Sequence, residues 1–262
     1  LNIFTKNIVN MRILSGLILC VMLISCSTVR KGVLDSRQFT SSEGHKLPYN
    51  VFYPKTYGKE KLPLILWLHG SGERGDDNVS QLIHVVPYLA SSITQKRFPS
   101  VILAPQCAAD DYWTPIVRGA WRVLIGGKTT PSMAACMELL DKMVKDKYID
   151  ASRIYIGGLS MGGFGTYDLL ALRPELFAAA VSVCGDADLD KAVSYKSVPL
   201  WVFHGAKDPV VPPDLSRAII KTLEQAGGTP KYTEYPEGGH DVWNMAIREP
   251  ELLPWLFSQK KQ

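Results

Sequence analysis

Apolar positions along the chain fall into short unbroken runs separated by stretches of helical period. Leu62 to Leu68, LPLILWL, is apolar throughout, the pattern of a strand covered on both faces of a parallel sheet. Arg153 to Gly157 alternates and is β-branched or aromatic. Val101 to Ala104, Ala178 to Cys184, Pro199 to Phe203 and Lys231 to Tyr235 complete the predicted strands of this kind. Arg37 to Ser42 and Leu47 to Pro54, separated by Glu43-Gly44, predict an opening antiparallel hairpin. Between the strands, Met133, Cys136, Met137, Leu140, Met143 and Val144 share one helical face, with Thr130 as cap and Pro131 in the first position. Val79 to Ile93 predicts a helix that Pro87 should break or kink. Phe164 onward predicts a helix ended by Arg173-Pro174, and Pro212 to Ala226 one stopped by Gly227-Gly228. The resulting order, β-β-β-α-β-α-β-α-β-β-α-β-α, predicts an α/β fold with helices on both faces of a mostly parallel sheet.

The sequence between the strand at Arg153 and the helix at Phe164 changes the picture from architecture to chemistry. Gly158-Leu159-Ser160-Met161-Gly162 has the G-x-S-x-G spacing of a nucleophile elbow, where a strand turns so sharply into a helix that the serine Oγ is held out of the chain. The flanks of such a turn have no room for side chains, which accounts for glycine at both. In an open α/β sheet, ligands bind beyond the carboxyl ends of the strands, and several chemistry-rich loops fall there.

His69 to Asp77, HGSGERGDD, follows the LPLILWL strand. Its glycines let backbone N–H groups face a cavity, so the Ser71 N–H, with Gly72 as the alternative, can join the Met161 N–H as an oxyanion hole. His69 is expected to hold the shape of this loop. Asp208 lies just past a strand, in a turn stiffened by two prolines, where a carboxylate can orient an imidazole. His240 follows the last strand on Gly238-Gly239, so its ring can swing over the serine as general base and then general acid. His45, His69, His84 and His204 lack that placement. Ser160, Asp208 and His240 also occur in the chain order that α/β-hydrolases use.

Four pieces, LHGSGERGDDN, GLSMGGFGTYDL, VFHGAKDPVVP and YPEGGHDVW, spread from Leu68 to Trp243, carry a family resemblance. The chain resembles the α/β-hydrolases, in particular their esterase branch of phospholipase/carboxylesterase and predicted-peptidase members, which overlaps polyhydroxybutyrate-depolymerase-like and feruloyl-esterase-like proteins. The resemblance implies Ser160 as nucleophile, Asp208 as acid, His240 as base and the Ser71 and Met161 amides as oxyanion hole. It implies a serine carboxylesterase working through an acyl-enzyme without cofactor or metal, with acetyl or feruloyl esters on carbohydrate as candidate substrates. A serine peptidase or acyl-peptide hydrolase is the enzymatic alternative, and a non-catalytic binding lipoprotein the alternative of another class.

Only Gly185 to Val198 separate the strand after the elbow from the strand before Asp208, too short for a large lid domain, so the site is expected to be open. Pro105 to Thr130 is a long loop holding Tyr112, Trp113 and Trp121. Trp113 and Trp243 are candidate substrate-binding residues, with core packing an equal alternative for the loop tryptophans. Asp186 and Asp188, near the elbow, are expected to be solvated loop carboxylates, with ligand binding as the alternative.

The 262 residues, 46% hydrophobic, suffice for one large domain. The net charge of +4 falls to +2 once the first 25 residues, with Lys6 and Arg12, are set aside, which excludes nucleic acid as an expected partner. Those residues form a targeting segment. From Met11 the chain reads MRILSGLILCVMLISC, whose apolar stretch Ile13 to Ile24 is too short to span a bilayer comfortably. Leu23-Ile24-Ser25-Cys26 resembles the lipobox of bacterial lipoproteins. This implies cleavage before Cys26 and acylation of Cys26, with an ordinary signal peptide or uncleaved anchor as the alternative. The expected organisation is a signal peptide over 1–25 with Met11 as true start, a lipidated spacer over 26–36 and a catalytic domain over 37–262. Ser27, not Asp, after the cysteine favours the outer membrane, facing periplasm or exterior. Beyond Cys20 and Cys26, only Cys107, Cys136 and Cys184 remain, without metal-ligand spacing, and Cys136 and Cys184 read as small core residues.

Overall fold

The unbroken apolar run Leu62–Leu68 is a strand buried at every residue. In the computed structural model, which describes residues 29–117, 122–123 and 127–261, it lies inside an eight-stranded sheet. The expectations for the leader, Cys20, Cys26 and Trp121 lie outside the described residues.

In chain order the strands are β1 (Leu34–Thr40), β2 (Lys46–Phe52), β3 (Leu62–Leu68), β4 (Val101–Pro105), the short pair β5 (Ile116–Val117) and β6 (Arg122–Val123), β7 (Ile149–Leu159), β8 (Ala179–Val183), β9 (Leu200–Gly205) and β10 (Lys231–Tyr235). The large sheet runs β1-β2-β4-β3-β7-β8-β9-β10, while β5 and β6 form a separate hairpin. β1 pairs antiparallel with β2, and β2 with β4; every other pairing in the large sheet is parallel.

Helices cover both faces because strand side chains alternate between them. Leu64, Leu66 and Leu68 of β3 enter one core with Ile154 and Ile156 of β7, whereas Ile65 and Trp67 enter the other with Tyr155. The first core is covered by α3 (Pro131–Val144), α4 (Met161–Leu172) and α6 (Pro213–Gln225), through residues such as Cys136, Leu140, Leu170 and Ile219. The second is covered by α1 (Val85–Ala90) and α8 (Leu252–Ser258), through Val86, Leu89, Leu253 and Leu256. The remaining helices α2 (Ser92–Arg97), α5 (Leu189–Ala192) and α7 (Trp243–Ala246) are short.

The pattern reading holds for the sheet and differs at several ends. Thr130 caps α3 by accepting from the Met133 N–H, with Pro131 in the first turn. Pro87 does not interrupt the helix that contains it: it is the third residue of α1, where no intrahelical N–H bond is required. The break falls at Ser91, an extended residue whose hydroxyl accepts from Thr94 N–H and starts α2. α4 begins at Met161, directly after the serine, rather than at Phe164. Between β8 and β9 the described chain holds only α5 and the single turn Val193–Tyr195, so no lid domain occurs among the described residues there.

Candidate active site

Ser160 links the end of β7 to α4 at φ 51° and ψ −120°. For a residue with a side chain this conformation costs on the order of 1–3 kcal/mol, and the surrounding chain imposes it. A β-carbon on Gly158 would lie 2.2 Å from Gly162 O, and one on Gly162 would lie 2.0 Å from Leu68 O. The elbow is therefore pressed against β3 as well as against itself. Ser160 N–H donates to Val183 O at 2.8 Å, and Ser160 O accepts from Phe164 N–H at 3.1 Å, fixing the turn from both sides.

Asp208 and His240 reach the serine on two loops that are bonded to each other. Ala206 N–H donates to Tyr235 O and Lys207 N–H to Gly238 O, each at 2.9 Å. A β-carbon on Gly205 would lie 2.1 Å from Gly239 O, so only glycine lets the loops approach so closely. His240 Nε2 then lies 2.9 Å from Ser160 Oγ, and His240 Nδ1 lies 2.7 Å from Asp208 Oδ2. The carboxylate's other oxygen, Oδ1, accepts from the N–H groups of Val210 and Val211 at 2.8 and 3.0 Å. Burial works against ionisation of Asp208, but hydrogen bonds from His204, His240 and the two amides outweigh it and hold the carboxyl far below the usual carboxylate range. An ionised Asp208 keeps the proton of neutral His240 on Nδ1, leaving Nε2 free to accept from the serine.

His204, set aside in the sequence reading, belongs to this group. Its Nε2 faces two acceptors, Val211 O at 2.9 Å and Asp208 Oδ2 at 3.2 Å, so that nitrogen carries a proton. Nδ1 lies 2.7 Å from Ser216 Oγ. The cue in the sequence was its position on β9 four residues before Asp208. Cys184, His204 and Asp208 bring potential ligand atoms within 4.8 Å of one another. The His204 and Asp208 atoms are already engaged in these hydrogen bonds. Burial pushes the Cys184 thiol upward, so it remains protonated. Cys107, Cys136 and Cys184 are all free and buried.

The two amides expected to form an oxyanion hole are each the first residue of a helical turn: Met161 opens α4, and Ser71 opens the 3-10 turn Ser71–Glu73. First-turn N–H groups lack intrahelical partners and remain free to bind an anion. The Ser71 loop borders Ser160, since a β-carbon on Gly70 would lie 3.6 Å from Ser160 Cβ. Several side chains hold that loop. Arg74 Nε–H donates to Ser71 O at 3.0 Å, and Gln106 Nε2–H donates to Glu73 O at 3.1 Å and to Asp77 Oδ1 at 2.8 Å. His69 does so from beneath: Nδ1 donates to Gly70 O at 2.6 Å, and Nε2 accepts from Cys107 N–H at 2.9 Å. Burial, only partly opposed by the Gly70 carbonyl, brings the His69 pKa down to about 4, so the ring is neutral as both bonds require.

Three expectations need correction. Trp113 is 0% exposed and cannot line an open substrate site. Its Nε1–H donates to His69 O at 3.1 Å, so this tryptophan packs under the loop that carries Ser71. Asp186 and Asp188 are buried rather than solvated. Asp186 accepts from Arg122 Nε–H at 3.1 Å and Val123 N–H at 3.2 Å, and Asp188 caps α5. Trp243 is half-buried and lies edge-on to His240 with ring centroids 5.6 Å apart.

Residues 124–200 match the model of the prolyl oligopeptidase family. A probable carboxylesterase of Oryza sativa subsp. japonica is 29% identical over 197 residues, covering 68% of this chain and 81% of its own length. A thermostable esterase of known structure is 36% identical and superposes with a TM-score of 0.79 over 87% of this chain; the chain spans 63% of that protein. A ferulic acid esterase, 19% identical, shares the fold with a TM-score of 0.63 over 86% of this chain and 97% of its own. The sheet order, the strained serine at the strand-to-helix turn and these relatives agree: the chain is a serine hydrolase of the α/β-hydrolase fold.

Proposed function

We propose that the protein is a carboxylesterase that acts through an acyl-enzyme on Ser160. The observation that carries this reading is the unbroken line from Ser160 Oγ through both nitrogens of His240 to an ionised Asp208. In the first half-reaction the Ser160 proton passes to His240 Nε2 as Oγ bonds the ester carbonyl carbon. Charge developing on the carbonyl oxygen is met by the Met161 and Ser71 N–H groups, an arrangement that is worth about 3–4 kcal/mol per donor in a serine protease. Collapse breaks the bond to the alcohol oxygen, which takes the proton back from His240. Water then repeats the sequence, releasing the acid and restoring Ser160. Acetyl or feruloyl esters on carbohydrate are the substrates we favour, supported by the half-buried indole of Trp243 beside His240. A fluorophosphonate probe should label the wild type and leave Ser160→Ala unlabelled; equal labelling of both would remove Ser160 from this role.

The prolyl oligopeptidase match over 124–200 favours one second reading, hydrolysis of amides by the same groups. Side-by-side turnover of an ester and an amide with the same acyl group separates the two. We also propose that the chain is tethered at the bacterial cell envelope through acylated Cys26, on the strength of Leu23-Ile24-Ser25-Cys26. No helix among the described residues is long and apolar enough to cross a membrane. Labelled palmitate should be incorporated by the wild type and lost in Cys26→Ser.

A further inference from the structure

The chain enters the described structure at the end of the sheet that faces away from Ser160. Ser160, Asp208 and His240 all follow the carboxyl ends of strands, β7, β9 and β10. β1 begins at Leu34, opposite Phe52, and Phe52 lies opposite Ile102 near the start of β4, so residues 29–33 sit at the amino ends of the parallel strands. Two grooves open at this same end. One, of about 530 Å³, is lined by Gly32, Phe52, Lys55 and Lys96 among others, and the second, of about 440 Å³, by Lys61, Arg97, Phe98 and Phe257 among others.

The charge at the grooves is of one sign. Lys55, Lys61, Lys96 and Arg97 are exposed and form no ion pair among the described residues. Arg153, beside the second groove, is held by Asp150 at 2.7 Å, and Glu60 is the acidic residue among those that line the two. Ile93, Lys96 and Arg97 stand three and four residues apart on α2 and so share a helix face. Ile93 is 77% exposed there, an apolar side chain flanked by cations. A bilayer carrying anionic lipid satisfies both, since the apolar group enters the headgroup layer while the cations stay at its surface. The tether fits the same face. Cys26 is six residues before Gly32, a span of at most about 20 Å when fully extended, whereas a domain of this size is roughly 45 Å across. A chain held at Cys26 therefore keeps this end, and not the catalytic one, against the membrane.

We propose that the face built from α2, Lys55 and Lys61 docks on anionic lipid headgroups, with Ile93 entering the headgroup layer, and holds the catalytic end turned toward the aqueous phase. This rests on attachment of the chain through its N-terminal segment, and the test separates the two claims. The full chain, purified in detergent, is reconstituted into vesicles of phosphatidylcholine alone or of equal parts phosphatidylcholine and phosphatidylglycerol. A bimane label is placed at Ile93→Cys or, just past His240, at Met245→Cys, where the native side chain is 53% exposed; wild type taken through the same labelling gives the background. In the anionic vesicles doxyl lipid should quench the label at Ile93 and spare the one at Met245. The docking equilibrium read at Ile93 should weaken about fivefold for each of Lys55, Lys61, Lys96 and Arg97 changed to Gln. Quenching at Ile93 that is equal in the two vesicles, unmoved in the variant with all four changes, or exceeded at Met245 overturns the docking face while the tether stands. An Ile93 label shielded from aqueous iodide yet untouched by doxyl lipid also overturns it, because a protein, such as a second copy, then covers the face. Chain that floats with neither vesicle overturns both claims.

Discussion

His204 and His240 converge on one oxygen: Asp208 Oδ2 lies 3.2 Å from His204 Nε2 and 2.7 Å from His240 Nδ1. His204 and Asp208 side chains are both fully shielded from solvent, so each donor to that oxygen counts strongly toward keeping it ionised and in place. In the proposed mechanism His204 is a positioning residue for Asp208. His204→Gln should lower kcat by about tenfold with KM little changed, less than Asp208→Asn, for which the analogous change in a serine protease costs about 10⁴. Steady-state kinetics on folded protein checks this. A fall in thermal midpoint with kcat intact would reduce His204 to a packing role.

His69 couples acid stability to the oxyanion loop. Unfolded, a histidine takes up its proton near pH 6.5, whereas buried His69 does so only near about 4. Between those values the unfolded state binds more protons. The contribution is therefore fully present above about pH 6.5 and is lost as pH falls toward about 4, on the order of 3 kcal/mol in total. Asp208 has its carboxyl depressed and adds a loss only at lower pH, below the ordinary carboxylate value of about 3.9. Guanidinium unfolding at pH 7.5 and 4.5 should show the loss in the wild type and a much smaller one in His69→Gln. Equal losses in both would contradict the assignment.

Gly162 and Gly72 should respond oppositely to substitution. Gly162→Ala places a β-carbon 2.0 Å from Leu68 O, backbone that cannot move without displacing β3. Overpacking of this kind costs at least about 1–3 kcal/mol, and here it should abolish soluble folded protein. A β-carbon on Gly72 meets nothing within 4 Å, so Gly72→Ala should unfold within about 0.5 kcal/mol of wild type. Thermal unfolding of the pair checks both.

What the sequence reveals depends on how far each feature reaches along the chain. The elbow is local: strand, G-x-S-x-G and helix all lie between Ile149 and Leu172, and steric exclusion at Gly158 and Gly162 leaves one geometry. Asp208 and His240 each follow a strand, so the parallel sheet delivers them to the same edge. Burial of Asp186 depends instead on Arg122, 64 residues away, and burial of Trp113 on His69, 44 residues away. No local pattern encodes such pairings, and an aromatic in a long loop reads the same whether it faces substrate or core. Pro87 shows a subtler limit. Its effect depends on where the helix begins, and helix starts are set by caps such as Ser91 and by tertiary packing as much as by period.

In the proposed mechanism Ser160 carries the acyl group. The most direct test is rapid acid quench of the enzyme during turnover of p-nitrophenyl acetate, followed by intact mass and peptide mapping. One acetyl group is expected, located on Ser160, that forms with the burst of p-nitrophenol and decays at the steady-state rate. An acetyl group on another residue, or Ser160→Ala protein that turns the ester over at the wild-type rate, would contradict it.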